Sequence, residues 1–317
     1  MVDLMGKKNY FFALSILILL AGVVGYFING LQLDIQFQGG TIMQIEMPDD
    51  TFDTEKAADI VMEAIGKKAI VQKSSTINVE DSDDKIDLMV LNIGSRDTLN
   101  DEERTKVIEA LRAEFNIAKD ASVNLQSVEP FIGDEIRTKA LYAVLCSSIL
   151  IVLYVWWRFR TMHGLSAGVC AVVALIHDVM VMFTVYIIFR LPINESFIAA
   201  ALTIIGYSIN DTVVIYDRIR ENTKLLKKMP VHELVNKSVL QSLSRSINTS
   251  VTTIISILTL FIFAVAFNIQ SIREFTLPLA AGIISGVYST LFIASPLYMM
   301  WQEAKIKRKI SHKPAKA

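Results

Sequence analysis

Asp211 stands near the end of an apolar run that begins around Phe197 and closes on the charged pair Asp217 and Arg218. About 20 apolar residues cross a bilayer, so this carboxylate falls inside a span, roughly a turn and a half from its charged end. An Asp at the centre of a span costs roughly 2.5–3.5 kcal/mol, and less toward the interface. Such a group is kept where it pairs, titrates or lines a water path. A purely structural hydrogen bond to a neighbouring helix is the plain alternative.

The next apolar segment changes that balance. Arg245, Thr249, Thr252, Ser256 and Thr259 recur at spacings of 4, 3, 4 and 3, so they share one helix face, with Asn248 beside them. The segment holding Asp211 carries Thr203, Tyr207 and Asn210 on one side. Two adjacent antiparallel helices are therefore expected to meet through these polar stripes, with Asp211 and Arg245 at matched depth. Small hydroxyls serve equally well as packing glue between membrane helices, but that reading accounts less well for an Asp opposite an Arg. Such a pair suits ion coupling: beside Arg245 the carboxylate stays ionised, and withdrawing the Arg favours proton uptake. A second intramembrane pair, His177 and Asp178, is a candidate proton relay or a structural hydrogen-bonding group. The pairs Gly164/Gly168 and Gly282/Gly286 read as sites of close helix approach.

The elements that position these groups follow from composition. The chain of 317 residues is 52% hydrophobic yet 20% charged, so charge must be segregated. Residues 30–137 hold 23 acidic against 11 basic side chains, a net of −12. Within that stretch, 41–47 alternates as a strand, and 54–66 and 100–115 have helical spacing. Residues 69–79 and 85–93 read as a hairpin around the acidic turn 80–84, and 121–128 as a last strand. The order β-α-β-β-α-β predicts a ferredoxin-like domain. It contains no His, no nucleophile–base pair and no phosphate-cradling loop, so an enzyme is not expected. Cys146 and Cys170 lie in apolar runs without metal or disulfide spacing.

Six spans are predicted: one within 1–29, an uncleaved first helix rather than a signal peptide, and five at 141–157, 165–189, 197–216, 251–267 and 275–300. The 217–245 link carries seven Lys/Arg and the tail after Trp301 six, whereas 190–195 and 268–274 carry one each. Positive-inside asymmetry puts both termini in the cytosol and the acidic 30–137 domain outside, with a five-helix bundle over 138–303 and a basic tail over 304–317. The 217–245 link reads as a cytosolic loop with an amphipathic helix resting on anionic lipid.

These residues resemble a known family. Gly206-Tyr-Ser-Ile-Asn-Asp211-Thr-Val-Val-Ile-Tyr-Asp217-Arg-Ile-Arg-Glu221-Asn is similar to the fourth-span signature of SecF, the membrane subunit of the SecD–SecF protein-export complex. Arg245-Ser-Ile-Asn248-Thr249 resembles the start of the SecF fifth span, and Phe37-Gln-Gly39-Gly40-Thr41 its outer-domain entry motif. The family usually has an acid before that Phe, where this chain has Gln36. The resemblance covers nearly the whole chain and places it in the resistance-nodulation-division superfamily. It implies that Asp211 carries the proton, Arg245 is its charge partner and Asn210 a supporting polar group.

The resemblance further implies work with a SecD-like subunit and the SecYEG channel on an unfolded polypeptide, late in export. The driving force would be the proton-motive force or a sodium gradient. No cofactor or metal is expected beyond the transported H⁺ or Na⁺, and no nucleic acid. The alternative is a stand-alone ion-driven exporter of lipids or small molecules, which a lone six-span half without its second repeat argues against. A passive scaffold with a structural Asp211 is the third reading.

Overall fold

In a computed structural model, the described residues are all except 1–2, 35–36, 38, 49–50, 78–84, 95–98, 119–120, 129, 160–163, 268 and 312–317. Gln36 and the acidic turn 80–84 therefore lie outside the described residues. Helix α1 (Lys8–Asn29) leads into an α/β domain of strands β1 (Gly40–Met47), β2 (Ala69–Ile77), β3 (Lys85–Gly94) and β4 (Val123–Val128). Its helices are α2 (Thr54–Ile65) and α3 (Asp101–Phe115). The remaining elements are α4 (Pro130–Arg158), α5 (Gly164–Ile188), α6 (Glu195–Leu225), α7 (Val231–Ala266), α8 (Gln270–Ser289), a π-turn (Thr290–Ala294) and α9 (Ser295–Ser311).

The α/β domain has the antiparallel sheet order β2-β3-β1-β4, the ferredoxin-like arrangement its periodicity predicts. Local chemistry sets the boundaries. The Asp53 carboxylate accepts from the amides of Glu55 and Lys56 and caps α2, which ends at Gly66 with φ +68°. Asn100 and Glu103 form a reciprocal capping box at the start of α3. One sheet face buries Met43, Ile45, Met89, Leu91 and Ile93 against Ala57, Val61, Val107 and Leu111. Gly39 and Gly40 adopt φ of +77° and +143°, conformations open to glycine. Phe37, just before them, is buried. Buried Thr41 faces Ser127 across β1 and β4 at 3.3 Å.

Six helical stretches among the described residues are long and apolar enough to cross a membrane: Lys8–Asn29, Leu141–Arg158, Gly164–Ile188, Glu195–Leu225, Val231–Ala266 and Ser271–Arg308. The protein is a multi-pass membrane protein. Helices α5, α6 and the α8–α9 run form the interior, and much of α1, α4 and α7 faces outward. Gly282 and Gly286 bring α8 onto α6: an added Cβ at Gly282 would lie 2.0 Å from Cδ1 of Ile204, and at Gly286 3.1 Å from Cβ of Ser208.

Two expectations change here. The 217–245 stretch is not a loop: α6 continues to Leu225 and α7 begins at Val231, so only 226–230 connect them. Nor does the apolar face of 231–245 rest on lipid. Leu234, Val235 and Val239 are buried against Met5, Val155, Phe159 and Ile219. Periodicity identified the face, but its cover is the protein's own N-terminus and helix ends. Asn236 Oδ1 accepts from the backbone amides of Leu4 and Met5, fastening the start of the chain there.

Candidate functional site

Asp211 is 7% exposed and lies on the face of α6 turned toward α7. Ser246 donates its hydroxyl to Asp211 Oδ1 at 2.6 Å. One turn away, Tyr207 donates to Ser250 Oγ at 3.1 Å. The other carboxylate oxygen, Oδ2, is buried without a hydrogen-bond partner. A buried carboxylate oxygen without a donor is an unsatisfied acceptor, an arrangement that costs free energy.

The predicted meeting of polar stripes is not what joins these helices. Arg245, Thr249, Thr252, Ser256 and Thr259 are exposed, as are Asn248 and Asn210. The Thr and Ser hydroxyls of the stripe donate to carbonyls of their own helix. α7 instead turns Ser238, Ser242, Ser246 and Ser250 inward, all buried. Their spacing of four marks a second face, and serine is small enough for the close approach of α6. The one sequence signal of Ser246 is this four-residue serine repeat, which runs beside the more conspicuous Arg/Thr stripe.

Arg245 therefore sits beside Asp211 in depth without contact: no ion pair within 4.0 Å joins them. Its guanidinium opens onto a cavity of about 480 Å³ lined by Val214, Asp217, Arg218, Glu221, Gln241 and Ser242 among others. Asp217 holds Arg158 at 3.2 Å and Arg220 at 2.6 Å, and Arg218 bonds Gln241 and Glu221. These two residues brace α6, α7 and α4 at a point where α6 continues rather than ends.

His177 and Asp178 come together on α5, away from Asp211. Asp178 is fully buried and accepts from Ser208 (2.7 Å), Ser285 (2.6 Å) and Ser289 (2.7 Å), with His177 Nδ1 at 3.3 Å. Thus α6 uses one face for Asp178 and another for α7. Thr212, one turn from Ser208, meets Thr290 of the π-turn at 2.8 Å. π-turns are frequent at functional sites.

The α/β domain is tied to this bundle at one corner. Glu274 of α8, 4% exposed, accepts from Asn194, the N-cap of α6, at 2.9 Å and from Gln72 of β2 at 3.4 Å. Leu33 bridges to Ile193 beside it.

Residues 107–304 match the family described as "Protein export membrane protein SecD/SecF, C-terminal". The chain is 31% identical to the protein translocase subunit SecF of Anaerolinea thermophila over the full length of both. It is 33% identical to the protein translocase subunit SecDF of Bacillus subtilis, over 96% of this chain and 39% of that one. The crystal structure of SecDF from Thermus thermophilus, a translocon-associated membrane protein, superposes with a TM-score of 0.77 at 32% identity, covering 95% of this chain and 39% of that one. The chain thus corresponds to about two fifths of the fused proteins and to the whole of the separate SecF subunits, and it belongs to the SecF group of the SecD/SecF family of protein export membrane proteins.

Proposed function

We propose that this chain assists protein export by letting an ion gradient drive conformational work through Asp211. The accessory export role rests on its SecF and SecDF relatives. The ion-driven step rests on one observation: a buried carboxylate with Ser246 on one oxygen and no partner on the other, beside Arg245, which faces a polar cavity. In this reading a proton or Na⁺ occupies the open oxygen of Asp211 in one state. In the other, Arg245 turns inward and neutralises the carboxylate, expelling the ion. Electrostatic exchange between a proton and a guanidinium suffices, because either neutralises the same buried charge. Asn210 supports the ion path from the exposed side.

The partner is a SecD-like subunit, present in the fused relatives as one chain with the SecF part. Its docking face is the exposed polar surface formed by Thr203, Gly206 and Asn210 of α6 with Asn248, Thr249, Thr252 and Ser256 of α7. Polar groups are costly toward hydrocarbon and belong against protein or a wet cavity. The assembly acts with the SecYEG channel on an unfolded polypeptide. In this reading both termini lie in the cytosol and the acidic α/β domain outside the membrane, an orientation that the distribution of Lys and Arg supports. The protein works as a transport subunit rather than an enzyme, and needs no cofactor beyond the transported ion.

The deciding experiment reconstitutes this chain with its SecD-like partner and SecYEG in vesicles carrying an imposed proton or sodium gradient. Asp211→Asn is expected to abolish gradient-dependent export and ion flux while the complex stays assembled. Undiminished flux and export would reduce Asp211 to a helix contact.

A further inference from the structure

Beyond the ion site, the outer side of the last helix has the makings of a ligand site of its own. We propose that α9 binds an acidic phospholipid, with the phosphate at Lys305 and Arg308 and an acyl chain along Leu297, Met300 and Trp301.

Among the described residues, Leu297, Met300, Trp301, Ala304, Lys305 and Arg308 line a cavity of about 590 Å³. Leu297, Trp301, Ala304 and Arg308 recur at spacings of 4, 3 and 4, so the recess runs along one helix face. Its two halves differ in chemistry. The half nearer the middle of the span is apolar, with Met300 and Trp301 exposed. The other half carries two cations. Ala304 lies between them and brings only a methyl group, which leaves the recess open. The single acid of α9, Glu303, is not among the lining residues, and Lys305, Lys307, Arg308 and Lys309 outnumber it.

The depth of the recess follows from the tryptophans. All three in the chain lie at one end of the bundle. Trp156 and Trp157 close the span Leu141–Arg158 and are exposed. The Trp156 carbonyl packs on Gly164, the first residue of α5. Gln302, next to Trp301, donates to Ser166 Oγ near the start of that same helix at 2.9 Å. Tryptophan concentrates where hydrocarbon meets headgroups, so this level marks the boundary. Lys305 lies about 6 Å and Arg308 about 10 Å farther along the helix axis. The headgroup layer extends about 5–8 Å past the hydrocarbon. Lys305 therefore stands within it, and the long Arg308 side chain reaches back to it.

This arrangement selects among ligands. A free phosphate meets only the basic half of the recess. A zwitterionic lipid brings a cation of its own toward Lys305 and Arg308. An acidic phospholipid matches both halves, with its chain on the apolar floor and its net negative headgroup at the basic rim.

The test uses the full chain in lipid nanodiscs and depends neither on export nor on Asp211. Trp156→Phe with Trp157→Phe leaves Trp301 as the one tryptophan. Its fluorescence is followed as chain-brominated phosphatidylglycerol or chain-brominated phosphatidylcholine replaces unlabelled phosphatidylcholine. The acidic lipid is expected to reach half-quenching at about a tenth of the fraction that the zwitterionic lipid requires, given two basic groups at one phosphate. Lys305→Gln with Arg308→Gln is expected to erase that preference. Lys227→Gln with Lys228→Gln removes the same charge from the turn between α6 and α7 and is expected to preserve it. Equal quenching by the two lipids overturns the proposal. A preference that survives in the Lys305/Arg308 variant, or is lost equally in the Lys227/Lys228 variant, also overturns it, because either result reports general attraction to a basic surface.

Discussion

Ser246 holds Asp211 by a 2.6 Å hydrogen bond from α7 to α6, while Arg245, the adjacent residue, points to an open cavity. A helix turns successive side chains by about 100°, so one α7 backbone sets a hydroxyl donor on the carboxylate and turns the neighbouring guanidinium toward the cavity. Ser246→Ala leaves both oxygens of Asp211 without a donor. Losing a hydrogen bond to a charged group costs about 1.5–3 kcal/mol, so ion-driven export in reconstituted vesicles should fall by an order of magnitude or more. Ser246→Thr, which keeps the hydroxyl, should retain a larger share.

Replacing the exposed hydroxyls of α7 should separate folding from assembly. Thr249, Thr252 and Ser256 bond only to carbonyls of their own helix. The triple change to Leu therefore leaves the thermal midpoint of the isolated chain within a few degrees. Copurification with the SecD-like subunit should drop several-fold. Intact copurification would assign that subunit to another face.

Gly282→Val sets a methyl-bearing Cβ where Cδ1 of Ile204 now lies. Overpacking of this kind costs about 1–3 kcal/mol and pushes α8 from α6. The expected result is a lowered unfolding midpoint, partly restored by Ile204→Ala, whose smaller side chain vacates the space. A double variant no more stable than Gly282→Val alone would refute this contact.

In the α/β domain, Glu103 is held below the usual carboxylate range, first by its bond to Lys67 and then by the Asn100 amide. Lowering a carboxyl pKa in the folded state adds stability that is present above the unfolded value, about 4.3 for Glu. That stability is lost as pH falls through the lowered folded value. Hydrogen-exchange protection of α3, corrected for intrinsic rates, should decline over that acidic window in the wild type. Glu103→Gln should remove this component of the decline. Asn100→Ala should lower protection by about 1 kcal/mol at all pH values, since it deletes the N-cap acceptor.

Much of this architecture was legible in the chain. The α/β order followed from two clean periods, with Asn100 and Gly66 marking helix ends, and the spans followed from hydropathy. Asp211 was legible because a carboxylate within an apolar run has few inexpensive explanations. The rotation of α7 about its axis was not. Its Arg/Thr stripe and its serine repeat are both polar and both helically spaced, and the choice between them depends on side-chain size against α6. The partners of Asp178 were equally hidden, since Ser285 and Ser289 lie more than 100 residues along the chain. The 217–245 link looked like a loop because its charge broke the apolar run, yet backbone helicity needs no apolar majority.

The π-turn at Thr290–Ala294 fits one more residue into its turn than an α-helix does. That surplus displaces the phase of everything after it by about 100°. Tyr298 consequently meets Tyr216 with ring centroids 5.4 Å apart, and Gln302 reaches Ser166 at 2.9 Å. Met300 and Trp301 turn outward. In an uninterrupted helix phased on Ser285 and Ser289, Met300 would point inward and Gln302 would be turned away from its partner. The chain after Ala294 is thus written in a different frame from the chain before it, and a one-residue deletion in the turn would scramble the inner surface of the last span without touching its composition.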